Sequence, residues 1–381
     1  MINIKQRFYK IIILFFSFFI VSCQTNNNTQ KIVKQENIIT EIDNIIHNEI
    51  EIALLIPKTD NPSYKDYENL IKMGLEDGLK THVHITSYDA SDEKLQIAMS
   101  KIIERNTKII LGPIYSKQVK SIANEAKKHN IIMITMSNDP SVADSKLFVF
   151  GHAPLKELNR ILTYFLDNQY KNFIMFLPSG QYSLNINQIV QNMLIERNAT
   201  LVKTIFYTSE AESINQAINI LSNRVDNLNE LIENTTKPVI YIGSDSNKSL
   251  NLIFNLLRHN HLDRKAVIIG DNKIDIDYQS DLSINFTGSL NFLSNDIVER
   301  AKYLGIPHLS FMHLMSYDLG KMTANYIGNN FNEEQFLARM NSQTPYIGIS
   351  GDIYFIDSIA QRKYDIIRKI ADQYITLSTS K

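Results

Sequence analysis

The apolar positions change period along the chain in a regular way. Residues 50–56 (IEIALLI) form a nearly continuous apolar run, the signature of a strand buried on both faces. Tyr67, Leu70, Ile71, Gly74 and Leu75 then fall at helical spacing. His84–Tyr88 reads as a strand that ends at Asp89, and Leu95, Ala98, Met99 and Ile102 mark a second helix, with Asp92 and Glu93 in its first turn. Ile109–Leu111 is a short strand closed by Gly112-Pro113. Val119, Ile122, Ala123 and Ala126 mark a third helix, and Ile131–Met136 another strand. Short apolar strands alternating with amphipathic helices predict a parallel sheet with helices on both faces.

The pattern restarts after Gly151. It predicts helices over Leu155–Leu166, Ile186–Glu196, within 211–233 and over Leu250–Arg258. The intervening strands are Phe173–Leu177, Leu201–Tyr207, Val239–Ile242 and Ala266–Ile269. Helices follow at Ser294–Leu304, Ser316–Ile327 and Glu333–Met340. Ile353–Ile356 and Tyr364–Ile370 are expected as a hairpin of the second unit. The fold class is therefore α/β with two lobes, each a mainly parallel sheet covered on both faces.

Composition changes the picture at one place. The 381 residues carry 39 Lys+Arg against 40 Asp+Glu, too balanced for a general nucleic-acid binder. The single cysteine, Cys23, allows neither an internal disulfide nor a cysteine zinc site. It follows a basic stretch (Lys5, Arg7, Lys10) and an apolar run of eleven residues, 11–21. That run is too short to span a bilayer, which takes about 20 residues, and suits the apolar region of a secretory signal. Ile20-Val21-Ser22-Cys23 resembles a bacterial lipobox; a signal anchor with an incidental Cys is the alternative.

By that resemblance residues 1–22 are removed, Cys23 is acylated and 23–49 is a polar tether. The mature chain of 359 residues then carries a net charge of -4. Gln24 in place of Asp points to the outer membrane, facing the periplasm; in a Gram-positive source the anchor would sit on the plasma membrane.

Several runs carry a wider likeness. IALLIPKTD with the helix after it, the strand ending in Tyr88-Asp89, and IILGPIYSKQVKSIANEAKKHNIIMITMSND are three. PSGQYSLNINQIVQNMLIERNATLVKTIFY, PVIYIGSDS with VIIGDN, and YIGISGDIYF complete the series. In this order, over about 50–372, they resemble the type I periplasmic-binding-protein fold. That family includes branched-chain amino-acid receptors and the penicillin-binding protein activator lipoproteins. The resemblance implies a first lobe of 50–150 plus 284–341, a second of 151–283 plus 342–372, and a tail of 373–381. It also implies a cleft at the carboxyl ends of the strands.

The cleft candidates are Tyr115, Ser116, Ser137 and Asn138 from the first lobe. From the second come Gln181, Tyr182, Ser244, Asp245, Asp271 and Asn272. Hydroxyls, amides and a free helix N-terminus at Ser116 suit a carboxylate, and Asp245 or Asp271 an ammonium. The same residue types serve equally as caps and turn formers. Pro113-Ile114-Tyr115 and Ser183-Leu184 depart from the receptor pattern.

His82/His84 and His259/His261 lack a third ligand in sequence, and no HExxH, GxSxG, GxGxxG or GxxxxGKS pattern occurs. No enzyme activity, cofactor or metal is expected. The partners implied are a membrane through the lipid, a penicillin-binding protein, or an ABC permease with a small-molecule ligand.

Overall fold

The computed structural model describes residues 50–231, 236–243, 247–270, 282–294, 296–307, 309–371 and 373–379. Cys23, Ser244, Asp245, Asp271 and Asn272 lie outside the described residues. The first lobe runs β1 (Ile50–Ile56), α1 (Pro62–Gly78), β2 (Val83–Asp89), α2 (Leu95–Glu104), β3 (Ile109–Leu111), α3 (Ser116–Lys128), β4 (Ile132–Thr135) and β5 (Leu147–Val149). The chain then passes to α4 (Pro154–Asp167), β6 (Asn172–Pro178), α5 (Gln181–Glu196), β7 (Thr200–Tyr207) and α6 (Ala211–Leu231). Next come β8 (Val239–Ile242), α7 (Asn247–His259), α8 (Leu262–Lys265), β9 (Val267–Gly270) and β10 (Ile284–Gly288). Helices α9 (Ile297–Tyr303), α10 (Phe311–Ile327) and α11 (Glu333–Met340) follow. The last strands are β11 (Tyr346–Gly348), β12 (Gly351–Ile356), β13 (Ile359–Lys363), β14 (Asp365–Ile370) and β15 (Gln373–Ser378).

Two sheets result. One has eight strands in the order β11-β12-β13-β5-β4-β3-β1-β2; the other has seven, β15-β14-β10-β9-β8-β6-β7. Neighbours from β13 to β2 and from β10 to β7 are parallel, and the remaining pairs are antiparallel. The reason is visible in β1. Ile52, Leu54 and Ile56 enter the core beneath α1 and α10, while Ala53 and Leu55 enter the core beneath α2 and α3. Successive side chains point to opposite faces, so a strand covered on both sides must be apolar throughout. β6 repeats the device. Ile174 and Phe176 pack towards α6 and α7, and Phe173, Met175 and Leu177 towards α4 and α5.

Helices α1 and α10 meet backbone to backbone. A Cβ on Gly74 would lie 2.1 Å from the Tyr317 carbonyl oxygen, and one on Gly320 would lie 2.1 Å from that of Ile71. No other residue type fits this crossing.

The expected hairpin of Ile353–Ile356 with Tyr364–Ile370 does not form. β12 pairs with β13, Ile356 opposite Ile359, across a two-residue turn in which Asp357 and Ser358 have φ of 50° and 60°. That is the mirror-image turn whose twist suits a hairpin. β14 instead pairs with β10 in the seven-stranded sheet, and β15, expected as tail, pairs with β14. Sheet membership thus places 284–288 with the second lobe's strands and 346–363 with the first's, the reverse of the expected segmentation. The chain crosses between sheets three times, at 150–153, after Gly288 and at Tyr364.

Asp-Ser is a poor occupant of two left-handed positions. Replacing Asp357-Ser358 by Asn-Gly should raise stability by about 0.5–1 kcal/mol, read as an increase in the urea midpoint. An unchanged or lower midpoint would refute this reading of the turn.

Candidate functional site

The turns at the carboxyl ends of the lobe-one strands are held by their own backbone chemistry. At the end of β2, Asp89 accepts the Lys58 amide at 3.0 Å and the Ser91 amide at 2.9 Å, with Lys94 Nζ at 3.2 Å. Burial pushes its carboxyl up, but these donors outweigh burial and hold its pKa at about 2. The loop after β1 is thereby tied to β2. Asn61 then caps α1 by accepting the Ser63 amide, and Pro62 opens the helix. The cap sets the phase of α1, so Tyr64 and Tyr67 emerge in its first two turns beside the turn after β3.

That turn carries Gly112, at φ 105°, with Leu55's carbonyl where its Cβ would be. It ends on Tyr115, the N-cap residue of α3, which makes no capping bond through its side chain. Its hydroxyl lies 2.5 Å from the Tyr64 hydroxyl. The hydrogen bond to Tyr64, then burial, pushes the Tyr115 pKa up to about 12, so the Tyr115 hydroxyl stays protonated at physiological pH. Tyr64 stands edge-on to Tyr67, whose pKa burial also raises, and Tyr67 packs against His313 at 5.3 Å between ring centroids. His313 belongs to a capping box at the start of α10. Its Nδ1 accepts the Ser310 amide, and Ser310 Oγ accepts the His313 amide.

The sequence-derived candidates divide. Tyr115, half exposed, joins this aromatic wall, with Ser116 beside it as the first residue of α3. Ser137 is buried and closes a turn, accepting the Asp139 amide at 3.1 Å while its own amide donates to Thr135 Oγ1. The Ser137 hydroxyl thus accepts a backbone amide of its own turn. Asn138 is exposed beside it. Gln181 and Tyr182 are exposed in the first turn of α5, Gln181 donating to Asn185. Tyr64, Tyr67 and His313 were not among the expected residues. Of the three, the apolar pattern marks only Tyr67, as a position on an amphipathic helix.

A further polar cluster sits where the chain crosses between sheets. His152 Nε2 lies 2.7 Å from Oε1 of the fully buried Glu157, and Arg362 donates to the carbonyls of Phe150 (2.7 Å) and Gly151 (3.0 Å). Among the described residues no group of three metal-ligating side chains comes together. A cavity of about 420 Å³ opens at the opposite, amino ends of β4 and β5, floored by Ile131, Met133 and Leu147.

No family model matches the sequence. A protein of Rickettsia prowazekii (strain Madrid E), the uncharacterized protein RP748, is 49% identical over 381 residues, covering 99% of this chain and all of that one. The chain belongs to the family of that protein. Its fold is shared more widely. A branched-chain amino acid ABC transporter periplasmic ligand-binding protein from Burkholderia xenovorans LB400 superposes with a TM-score of 0.65 at 12% identity, over 87% of this chain and 95% of that one. The C-domain of LpoA from Haemophilus influenzae, a regulator of PBP1A, superposes with a TM-score of 0.59 at 14% identity, over 86% and 99%. This is the type I periplasmic-binding-protein fold of two lobes. Among the described residues no helix is long and apolar enough to cross a membrane.

Proposed function

We propose that this chain is a non-catalytic lipoprotein of the bacterial envelope, anchored at Cys23 to the outer membrane and facing the periplasm. There it binds a peptidoglycan synthase, a penicillin-binding protein, and stimulates wall synthesis. The observation that carries the reading is the lobe-one wall. Tyr64 and Tyr115 bond each other, and Ser137 is committed to its own turn. Two of the hydroxyls that would grip a free amino acid's carboxylate, those of Tyr115 and Ser137, thus have partners within the protein. A tyrosine-rich face of this kind suits contact with another protein, since tyrosine offers large area and a polar tip. The shared fold with the LpoA C-domain supports the same reading.

Full-length tagged protein from detergent-solubilised envelopes should retain a penicillin-binding protein, detected by labelled penicillin. Recovery of none would count against the proposal. The second reading is a substrate-binding lipoprotein of an ABC transporter, favoured by the likeness to the Burkholderia ligand-binding protein. A ligand at 100 times its Kd would raise stability by about 2.7 kcal/mol. Under the first reading a thermal-shift panel of amino acids should give no such response, and a clear response would transfer the function to the receptor reading.

A further inference from the structure

Two of the three crossings between the sheets run through one buried cluster, and both lobes supply it. The first crossing brings Phe150, Gly151 and His152; the third brings Tyr364. From lobe one, Arg362 on β13 donates through Nη1 and Nη2 to the Gly151 and Phe150 carbonyls, and its guanidinium lies over the Phe150 ring at 4.6 Å. Phe311 of α10 packs against His152 at 5.3 Å and Tyr364 at 6.4 Å. From lobe two, α4 sends Glu157, wholly buried, to His152. One turn further on, Arg160 donates through Nε to the Tyr364 carbonyl at 3.2 Å, and through Nη2 to Ser378 Oγ at 2.9 Å.

We infer that this cluster is an interlobe clasp that holds the two lobes at one fixed angle. Opening or closing a two-lobed fold concentrates its φ/ψ change in the crossing segments. Here Arg362 grips two carbonyls of the first crossing and Arg160 the Tyr364 carbonyl of the third, and the buried Glu157 carboxyl meets His152 on the first and Tyr364 on the third. Rotation about either crossing would break charge-assisted bonds and strand a buried carboxylate, both strongly opposed in a low-dielectric site. Tyr364 fits the same picture: burial, then the neighbouring Glu157 charge, keeps its pKa well above the tyrosine value. A third constraint is steric. A Cβ on Gly151 would lie 1.9 Å from the Ser137 carbonyl oxygen, so the first crossing is pressed flat on the turn after β4. The clasp concerns motion alone and does not depend on which partner the protein takes.

The test is the distance between spin labels on the full chain in detergent, with Cys23→Ser removing the one native thiol and Lys128→Cys with Glu196→Cys placing one label on each lobe. The expected result is a single narrow distance, unchanged by added leucine or by 4-hydroxybenzoate. Arg160→Met with Arg362→Met should add a second population of roughly 10%, the upper end of the range for a thermally accessible minor state. Arg362→Lys, which keeps the charge but cannot fork two carbonyls, should broaden the distance in the same sense. Two populations in the protein with both arginines intact would overturn the clasp, and so would an unbroadened distance in the folded double variant. Because the first of these needs no arginine variant, a variant that fails to fold does not shelter the inference.

Discussion

Gly320→Val should prevent lobe one from folding, and Gly320→Ala alone should cost more than about 4 kcal/mol, a size reserved for a few named mechanisms. The mechanism here is backbone contact. The Cβ of any residue at 320 would sit 2.1 Å from the Ile71 carbonyl oxygen and 2.9 Å from the Leu75 nitrogen. Neither atom is the movable end of a side chain. Gly74 faces the reciprocal problem, 2.1 Å from the Tyr317 carbonyl and 2.8 Å from the Lys321 nitrogen. Relief would require α1 and α10 to separate along their contact, uncovering Ile71, Leu75, Leu319 and Met322 from the core they share with β1. Gly288→Ala is the control. Its nearest neighbours would be 3.5 Å away, ordinary contact, and its cost should stay below about 1 kcal/mol. Urea unfolding of the three variants distinguishes them. A Gly320→Ala variant within 1 kcal/mol of its parent would mean the helices do not touch as described.

This crossing also shows where the sequence was readable. Gly74 lay on an apolar helical stripe and was assigned to the right helix, but nothing in a single chain says which distant helix touches it. The same limit explains the strand assignments. β10 and β12 are short buried strands that either sheet would accept by composition. The choice was made by a turn, Asp357-Ser358, that lacks the Asn-Gly signal, and by a crossing at Tyr364 that has no signal at all. The strands and helices of the alternating pattern were legible because period 2 against period 3.6 is a local property, whereas Leu147–Val149 and Ile284–Gly288, three and five residues long, were not read as strands. The candidate site was half legible. Strand ends named Tyr115 and Ser137, but the cap that aims Tyr64 at Tyr115 and the role of Ser137 as a turn former depend on backbone hydrogen bonds. Arg362 meets the Gly151 and Phe150 carbonyls across 211 and 212 positions of sequence, beyond the reach of any spacing rule.

Asp318→Ala should destabilise the protein by about 3 kcal/mol or more, since it leaves three buried donors unpaired at about 1–3 kcal/mol each. Those donors are the Ile349 amide at 2.9 Å, the Ser350 amide at 2.7 Å and the Ser350 hydroxyl at 2.5 Å. They form the turn between β11 and β12, and the carboxylate reaches it from α10. Gly348 is required beside it, because a Cβ there would lie 2.5 Å from Asp318 Oδ2. The Asp318 side chain is entirely enclosed, and burial outweighs the Ser350 and Ile349 donors, raising its pKa to about 6 from the ordinary 3.8.

The sign of the resulting pH dependence follows. Below the unfolded value the group is protonated in both states and carries no penalty. As pH rises through the folded value, the native state must hold a buried charge, and stability falls by about 3 kcal/mol for a shift of this size. Asp89, held at about 2, acts in the opposite sense and is lost only in strong acid. The whole-protein pH profile therefore mixes both. The difference between the parent and Asp318→Asn isolates one, because the amide does not titrate. Urea unfolding at pH 4 and pH 7.5 should show the stability advantage of the parent over Asp318→Asn shrinking at the higher pH. An advantage that stays constant or grows would mean the carboxylate ionises at or below its usual value, and that its three donors offset or outweigh its burial.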